Sequence, residues 1–425
     1  IIYNKFEKYL CFLIFFFYLC VILKRTYIII MSVHIPSIFT SILDNDFYKF
    51  TMQCAVVKLF PAIKGRYEFI NRGKHEFPEG FAQAMQEAVN QMGQLKLSKE
   101  EKNFLKTSCP YLNPAYIDFL EGYRYDPSEV HISQEGTELK VSVEGYWYRT
   151  ILWEVPLLAT ISELYYKLTG AVAWSDEQII ANTSHKIHDY EALDVIFAEF
   201  GTRRRHSYRT HDLVMQTLTK SHRYNFTGTS NVHFAMKYQV KPIGTHAHEW
   251  FMFHAAEYGF KMSNAMSLEH WVDVYRGDLG VALSDTYTTD VFFKQFDTKF
   301  AKLFDGVRHD SGDPIEFANK TIEHYKKFGI NPLSKYIIFS DGLTPEKVEA
   351  ITKYCRGKIG FSFGIGTNLT NDVGLRPMNI VMKLTEVLTS DHEWVKTVKL
   401  SDEPLKHTGD PRMIELAKEL LRIHS

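Results

Sequence analysis

The segment Gly244-Thr245-His246-Ala247-His248-Glu249-Trp250 sets two imidazoles at a chain reversal beside the apolar run Trp250-Phe251-Met252-Phe253. Histidines two apart project to one side of an extended segment. An imidazole there can ligate a metal, shuttle a proton or carry a group covalently. The plain alternative for any one histidine is a packed side chain with a satisfied hydrogen bond. The surroundings argue for chemistry: Gly228-Thr229-Ser230-Asn231 and Phe200-Gly201-Thr202-Arg203-Arg204-Arg205 lie just upstream.

Other stretches offer complementary groups. Gly364-Ile365-Gly366-Thr367 follows an apolar run and can turn backbone N–H groups toward an anion. Asp285, Asp290, Asp310 and Asp313 can hold Mg²⁺, which takes one or two carboxylates plus water and substrate oxygens; Asp313, just before Pro314, reads better as a helix cap. An arginine fork grips a carboxylate or phosphate with two bonds, so Arg203–Arg205 are candidates, with one or two of them read as solvated. Phe200 and Tyr48 offer flat faces for a ring, or are core. Taken together the parts describe a site for a phosphorylated sugar, Mg²⁺, a flat anionic ring and a reactive imidazole.

The elements that must carry these residues are clearest between 300 and 385. Asp305–Arg308 ends a strand, Asp313-Pro314 caps a helix running to Gly329, and Tyr336–Ser340 is a buried strand. Thr344-Pro345 caps the next helix, and Ile359–Phe363 is another strand. Strands alternating with helices at this spacing are βαβ units in a parallel sheet. Each strand is followed by a polar loop, and in α/β barrels those loops form the active site. The same logic puts 200–205, 228–231, 244–250 and 284–290 on that face. Upstream, Leu43–Met52 reads as a capped helix start, with Asp44 or Asp46 accepting its free backbone N–H groups. Phe81, Met85, Val89 and Met92 recur at helical spacing, Ser98–Glu101 reads as a capping box, and Leu139, Val141 and Val143 alternate as a half-buried strand. Pro156–Leu168, stopped by Gly170, is a helix expected to open the second domain.

The whole chain sets bounds. Its 425 residues suffice for two domains or for a barrel with an appendage. With 49 basic and 50 acidic side chains it has no field to recruit nucleic acid or an anionic membrane. Tyr9–Leu23 is an uncharged apolar run between basic residues, shorter than the ~20 residues needed to span a bilayer. It lacks a small-x-small cleavage site, and residues 1–30 are expected to be a non-native extension upstream of Met31. Five scattered cysteines without metal spacing suit a reducing compartment, so the cytoplasm is expected.

The blocks Phe200–Arg205, Gly228–Asn231, Pro242–Phe251, Gly306–Pro314, Phe339–Leu343 and Ser362–Thr367, in that order, closely resemble the nicotinate phosphoribosyltransferase family. The resemblance covers nearly the whole chain after Met31. It implies an irregular α/β barrel with a second mixed α+β domain built from the chain ends: 31–152 N-terminal, 153–390 the barrel, and 391–425 packing back on the first. It implies joining nicotinate to phosphoribosyl pyrophosphate, with ATP hydrolysis and Mg²⁺, on the salvage route to NAD, in a homodimer. By the same resemblance His248 matches the autophosphorylated residue and His246 does not. Phe200 and Arg203 match positions that hold the pyridine ring, and Tyr48 an aromatic reaching it across the dimer. Arg308 and Asp310 match positions at ring and ribose, Asp285 and Asp341 the ribose region, and Gly342, Gly364, Gly366 and Thr367 the phosphate loops. Relatives that use nicotinamide carry an acid where this chain has Ser230, so Ser230 fits a carboxylate. The rival readings are nicotinamide or quinolinate use, a metal-dependent amidohydrolase built on His-x-His, and a non-catalytic binding relative.

Overall fold

The computed structural model describes residues 37–220, 225–403 and 406–423; the expected extension at 1–30 lies outside them. Among the described residues no helix is long and apolar enough to cross a membrane. The strands, in chain order, are β1 (Lys64–Asn71), β2 (Val130–Glu135), β3 (Glu138–Tyr146), β4 (Phe197–Glu199), β5 (Phe226–Thr229), β6 (Lys241–Pro242) and β7 (Arg276–Leu279). They continue with β8 (Val281–Leu283), β9 (Gly306–His309), β10 (Tyr336–Phe339), β11 (Gly360–Ile365), β12 (Ile380–Leu388) and β13 (Trp394–Lys396).

Two sheets organise the molecule. One has the order β13-β12-β1-β3-β2 and the other β6-β5-β4-β11-β10-β9-β8. Every pairing in the first is antiparallel, and every pairing in the second is parallel. The expected α/β architecture is therefore present: a curled parallel sheet with a separate antiparallel layer built from both chain ends. The layer begins earlier on its C-terminal side than 391. β12, assigned from sequence to the barrel, pairs along its length with β1.

Local signals largely hold. Phe81, Met85, Val89 and Met92 are buried along the helix Phe81–Met92, and Ser98 with Glu101 forms the capping box. Leu139, Val141 and Val143 face the core from β3. Asp313 and Thr344 cap the helices Pro314–Lys327 and Pro345–Cys355 with proline at their starts, where its missing N–H costs nothing. The helix Phe47–Leu59 differs: Asp46 precedes it but makes no side-chain cap. The Phe47 N–H donates instead to the Ser230 carbonyl at 2.6 Å, and both aspartates are engaged elsewhere. Trp147, Trp153, Trp250 and Trp271 are fully buried. Trp147, following β3, lies 4.4 Å from the Phe253 ring centroid and so ties the antiparallel layer to the barrel; such pairs add about 0.5–1.5 kcal/mol beyond their buried area.

Candidate active site

The loops after β4, β9, β10 and β11 enclose a cavity of about 340 Å³. Phe200, Arg203, Arg308, Asp310, Gly342, Gly364, Gly366 and Thr367, all singled out in the sequence, line it, and Arg204 and Ser340 join them. Three guanidinium groups around one aromatic face make a site for a flat anion or for phosphate oxygens.

The three consecutive arginines have three different tasks. Arg203 is fixed by Glu154 at 3.3 Å. Arg204 faces the cavity, where burial, with Arg203 and Arg72 adding, lowers its pKa to about 10. Arg205 is wholly buried and forks onto Asp44 at 2.7 and 2.8 Å. None of the three is simply solvated, and Asp44 serves Arg205 rather than a helix end.

Glu154 also bonds Lys49 at 2.6 Å, and Lys49 reaches Glu249 at 2.5 Å with no solvent exposure. Glu249 in turn accepts from Trp147 Nε1 at 2.7 Å and from the Tyr67 hydroxyl. Burial opposes ionisation of Glu154, but Lys49 and then Arg203 hold its pKa down at about 2. A buried charge survives only when it is paired this fully. The network connects the residue after His248 to the arginine at the ring face, and neither Lys49, Glu154 nor Glu249 had a local motif to reveal it.

His248 is the first residue of the helix His248–Tyr258, so the two histidines do not share an extended segment as the spacing suggested. Its Nε2 lies 3.1 Å from Asp310 Oδ2 and 3.8 Å from Asp285 Oδ1, and its Nδ1 2.9 Å from the Thr286 hydroxyl. Burial, reinforced by Lys399, lowers its pKa to about 4 against the pull of both aspartates. Burial would raise the Asp310 carboxyl, yet Arg308, His248 and Lys399 hold it well below the usual carboxylate range. An ionised Asp310 can only accept, so Nε2 carries the ring proton and the Thr286 hydroxyl donates to Nδ1. Arg308 secures the other Asp310 oxygen at 3.0 Å and donates to Ser340 Oγ at 2.9 Å.

His246 is occupied elsewhere: its Nε2 accepts the Leu283 N–H at 3.2 Å. The two imidazoles therefore share no ligand position. Among the described residues no group of three or more His, Cys, Asp or Glu is placed to hold a metal, which leaves the amidohydrolase reading without its metal pair. Asp290 pairs with Lys320 at 2.9 Å and Asp313 caps its helix, so neither is free for Mg²⁺. Asp285 accepts from Ser311 Oγ at 2.5 Å through one oxygen, while the other is buried with no hydrogen-bond partner. That oxygen, with Asp310, fits a Mg²⁺ completed by water and substrate.

Three further predicted residues have partners of their own. Ser230 is buried and its hydroxyl donates to Asp46 at 2.7 Å, so the corner it occupies already contains a carboxyl group. Tyr48 stands in its own chain's charged cluster: burial raises its pKa well above the ordinary value, with Glu154 adding and Arg203 and Arg308 opposing. Asp341 accepts from Lys406 at 2.9 Å. Lys406 belongs to a C-terminal stretch that also places Lys399 4.0 Å from Asp285 and puts Glu403 on the Gly312 N–H at 3.0 Å. The segment expected to pack on the N-terminal domain also reaches the barrel loops. Lys383 of β12 lies in the same cationic field, and burial, with Lys399 adding, lowers its pKa to about 7.

Fold and site define an α/β-barrel enzyme whose centre gathers arginines and lysines around an aromatic face and a caged neutral histidine. Models of the nicotinate phosphoribosyltransferase family and of its N-terminal domain match residues 195–424 and 43–162. A nicotinate phosphoribosyltransferase of Chromohalobacter salexigens is 60% identical over 383 residues, covering 90% of this chain and 98% of that protein. One from Desulforapulum autotrophicum is 49% identical over 371 residues, covering 87% and 95%. The crystal structure of nicotinate phosphoribosyltransferase from Porphyromonas gingivalis superposes with a TM-score of 0.89 at 47% identity, covering 91% of this chain and 100% of that one. The chain belongs to the nicotinate phosphoribosyltransferase family.

Proposed function

We propose that the protein joins nicotinate to phosphoribosyl pyrophosphate, releasing nicotinate mononucleotide and pyrophosphate for NAD synthesis, with ATP hydrolysed through a phosphorylated His248. The observation that carries this reading is the single cavity holding Phe200, Arg203, Arg204 and Arg308, with Asp310 in its wall bonded to His248. The pyridine ring stacks on Phe200 and its carboxylate takes the Arg203 fork. The ring nitrogen then forms its bond to the ribose anomeric carbon as the bond to pyrophosphate breaks. Charge builds on the leaving oxygens, and Arg204, Arg308, Lys399 and Lys406 are cations within reach of that work. Asp285 and Asp310 would hold Mg²⁺, which when bound would supply further neutralisation of the phosphates.

His248 is neutral at physiological pH and so available as a nucleophile. The unprotonated Nδ1 bonds the terminal phosphorus of ATP, ADP departs with the electron pair of the broken P–O bond, and Asp310, holding the Nε2 proton, balances the positive charge that develops on the ring. The phosphoenzyme alters substrate affinity only if it differs from the free enzyme in contacts with substrate; the ion-pair network through Glu249, Lys49 and Glu154 to Arg203 supports such a difference. A cytoplasmic homodimer is part of the proposal, and the buried free thiols of Cys54, Cys109 and Cys355 suit a reducing compartment.

Nicotinamide is the second reading, favoured by one observation: Asp46, whose pKa burial raises, lies behind Ser230. The deciding assay follows mononucleotide formation from nicotinate and from nicotinamide, with and without ATP, for wild type and His248→Ala. Turnover of nicotinate alone, stimulated by ATP only in the wild type, is expected. Preference for nicotinamide overturns the substrate, and stimulation that survives the mutation overturns the phosphohistidine.

A further inference from the structure

The parallel sheet does not close by strand pairing. β6 and β8 are its two edges and do not pair with each other. Pro242 in β6 has no N–H to offer a neighbour. Two residues on, Gly244 lies against the start of the helix Phe47–Leu59, where an added Cβ would stand 2.9 Å from the Tyr48 nitrogen. The chain leaving β6 is therefore drawn toward that helix rather than along β8.

Side chains cross the gap instead. Thr245 Oγ1 donates to the Val281 carbonyl at 3.1 Å, and His246 Nε2 accepts the Leu283 N–H at 3.2 Å. The His246 ring is 1% exposed and is clamped edge-on by Trp271 and Phe251, at 4.6 and 5.3 Å between centroids. Its acceptor role requires an unprotonated Nε2, and burial lowers its pKa to about 3, keeping it neutral.

The two ends of this bridge lead directly to the reactive centre. Two residues after His246 comes His248. Two and three residues after Leu283 come Asp285 and Thr286, which lie 3.8 and 2.9 Å from the His248 ring. Across an unpaired seam, nothing in the backbone ladder fixes one loop against the other.

We propose that His246 is a positioning residue for His248: its Nε2 takes the place of the missing strand carbonyl, closes the seam, and holds Thr286 and Asp285 in register with the reactive ring. The inference deepens the phosphohistidine reading and rests on it for its catalytic consequence, while its structural consequence stands apart. Misplacing a reacting group by about 1 Å costs on the order of a hundredfold.

The test compares His246→Gln, whose Oε1 falls near the Nε2 position, with His246→Leu, which removes the acceptor at similar bulk. His246→Asn, whose acceptor is too short to reach, replaces the leucine variant if that does not fold. Three quantities are read: phosphate transferred from labelled ATP to His248, hydrogen exchange of the Leu283 amide, and the nitrogen NMR shifts of the His248 ring. The acceptor-less variant should transfer phosphate about ten- to a hundredfold more slowly, lose protection at Leu283 and shift the His248 resonances; the glutamine variant should restore all three toward wild type. Unchanged Leu283 protection and unchanged His248 shifts in the acceptor-less variant would overturn the proposal, as would a glutamine variant no better than leucine. A wild type that takes no phosphate, with the Leu283 and His248 effects intact, would instead overturn the phosphohistidine reading alone.

Discussion

The Phe200 ring lies so close to Gly364 that a Cβ added there would stand 2.3 Å from two of its ring carbons. Gly364 was expected to serve a phosphate loop through close backbone approach. Its more immediate task is to leave room for the Phe200 ring, on which the proposed substrate would stack. Gly364→Ala should displace Phe200 and raise the KM for nicotinate, lowering kcat/KM by roughly ten- to a hundredfold. Steady-state kinetics with varied nicotinate would check this; an unchanged KM would show that Phe200 has slack to move.

Glu154 holds Arg203 and Lys49 through its two oxygens. Glu154→Gln keeps the shape but leaves the buried Lys49 with Glu249 as its only carboxylate, so it should destabilise the fold by about 3 kcal/mol. It should also loosen the guanidinium and raise the nicotinate KM about tenfold. Urea unfolding and kinetics measure the two effects separately. A stability loss without a KM change would confine Glu154 to the fold.

The pieces of this site that were legible in the sequence are those made by short-range pattern. The strand–loop–helix units between Asp305 and Thr367 announce themselves by caps, prolines and apolar runs, and the loops they generate do line the cavity. What was not legible depends on contacts between distant segments. Nothing near Lys49 says that it meets Glu154 and Glu249, and nothing near Ile380 says that β12 will leave the barrel for β1. His246 and His248 look equivalent by spacing, yet a helix beginning at His248 sends them to different work. Ser230 read as a neutral lining residue only because Asp46, far away in sequence, was not in view.

Acid should destabilise the protein well before its carboxylates are all protonated. Burial lowers the pKa of His246 to about 3, of His248 to about 4 and of His254 to about 3. In the unfolded chain each takes a proton near pH ~6.5. Below that pH the unfolded state binds more protons, so stability falls as pH drops from about 6.5 toward the folded values. Glu154, with its pKa near 2, adds its own loss as pH falls from about 4.5 downward. Denaturant midpoints at pH 7.5, 6 and 5 should decline steadily. A flat profile over that range would mean these rings are not held neutral.

Lys399 tests the electrostatics of the reactive ring from the C-terminal segment. After burial itself, its ammonium is the largest influence lowering the His248 pKa, while Asp285 and Asp310 pull the other way. Lys399→Met removes the cation and leaves both aspartates, so the His248 pKa should rise above about 4. The protonated ring has no lone pair to offer phosphorus, and transfer from ATP should fall off at low pH in both proteins. The acidic limb of that profile should lie at higher pH in the variant than in the wild type. The same substitution removes a cation beside Asp285 and should weaken phosphoribosyl pyrophosphate binding, more at low salt than at high. Phosphate incorporation at His248 between pH 4.5 and 7.5 measures the first effect, and the KM for phosphoribosyl pyrophosphate at two ionic strengths the second. An acidic limb that stays in place, with only the KM changed, would assign Lys399 to substrate alone and leave the His248 pKa to burial and its two aspartates.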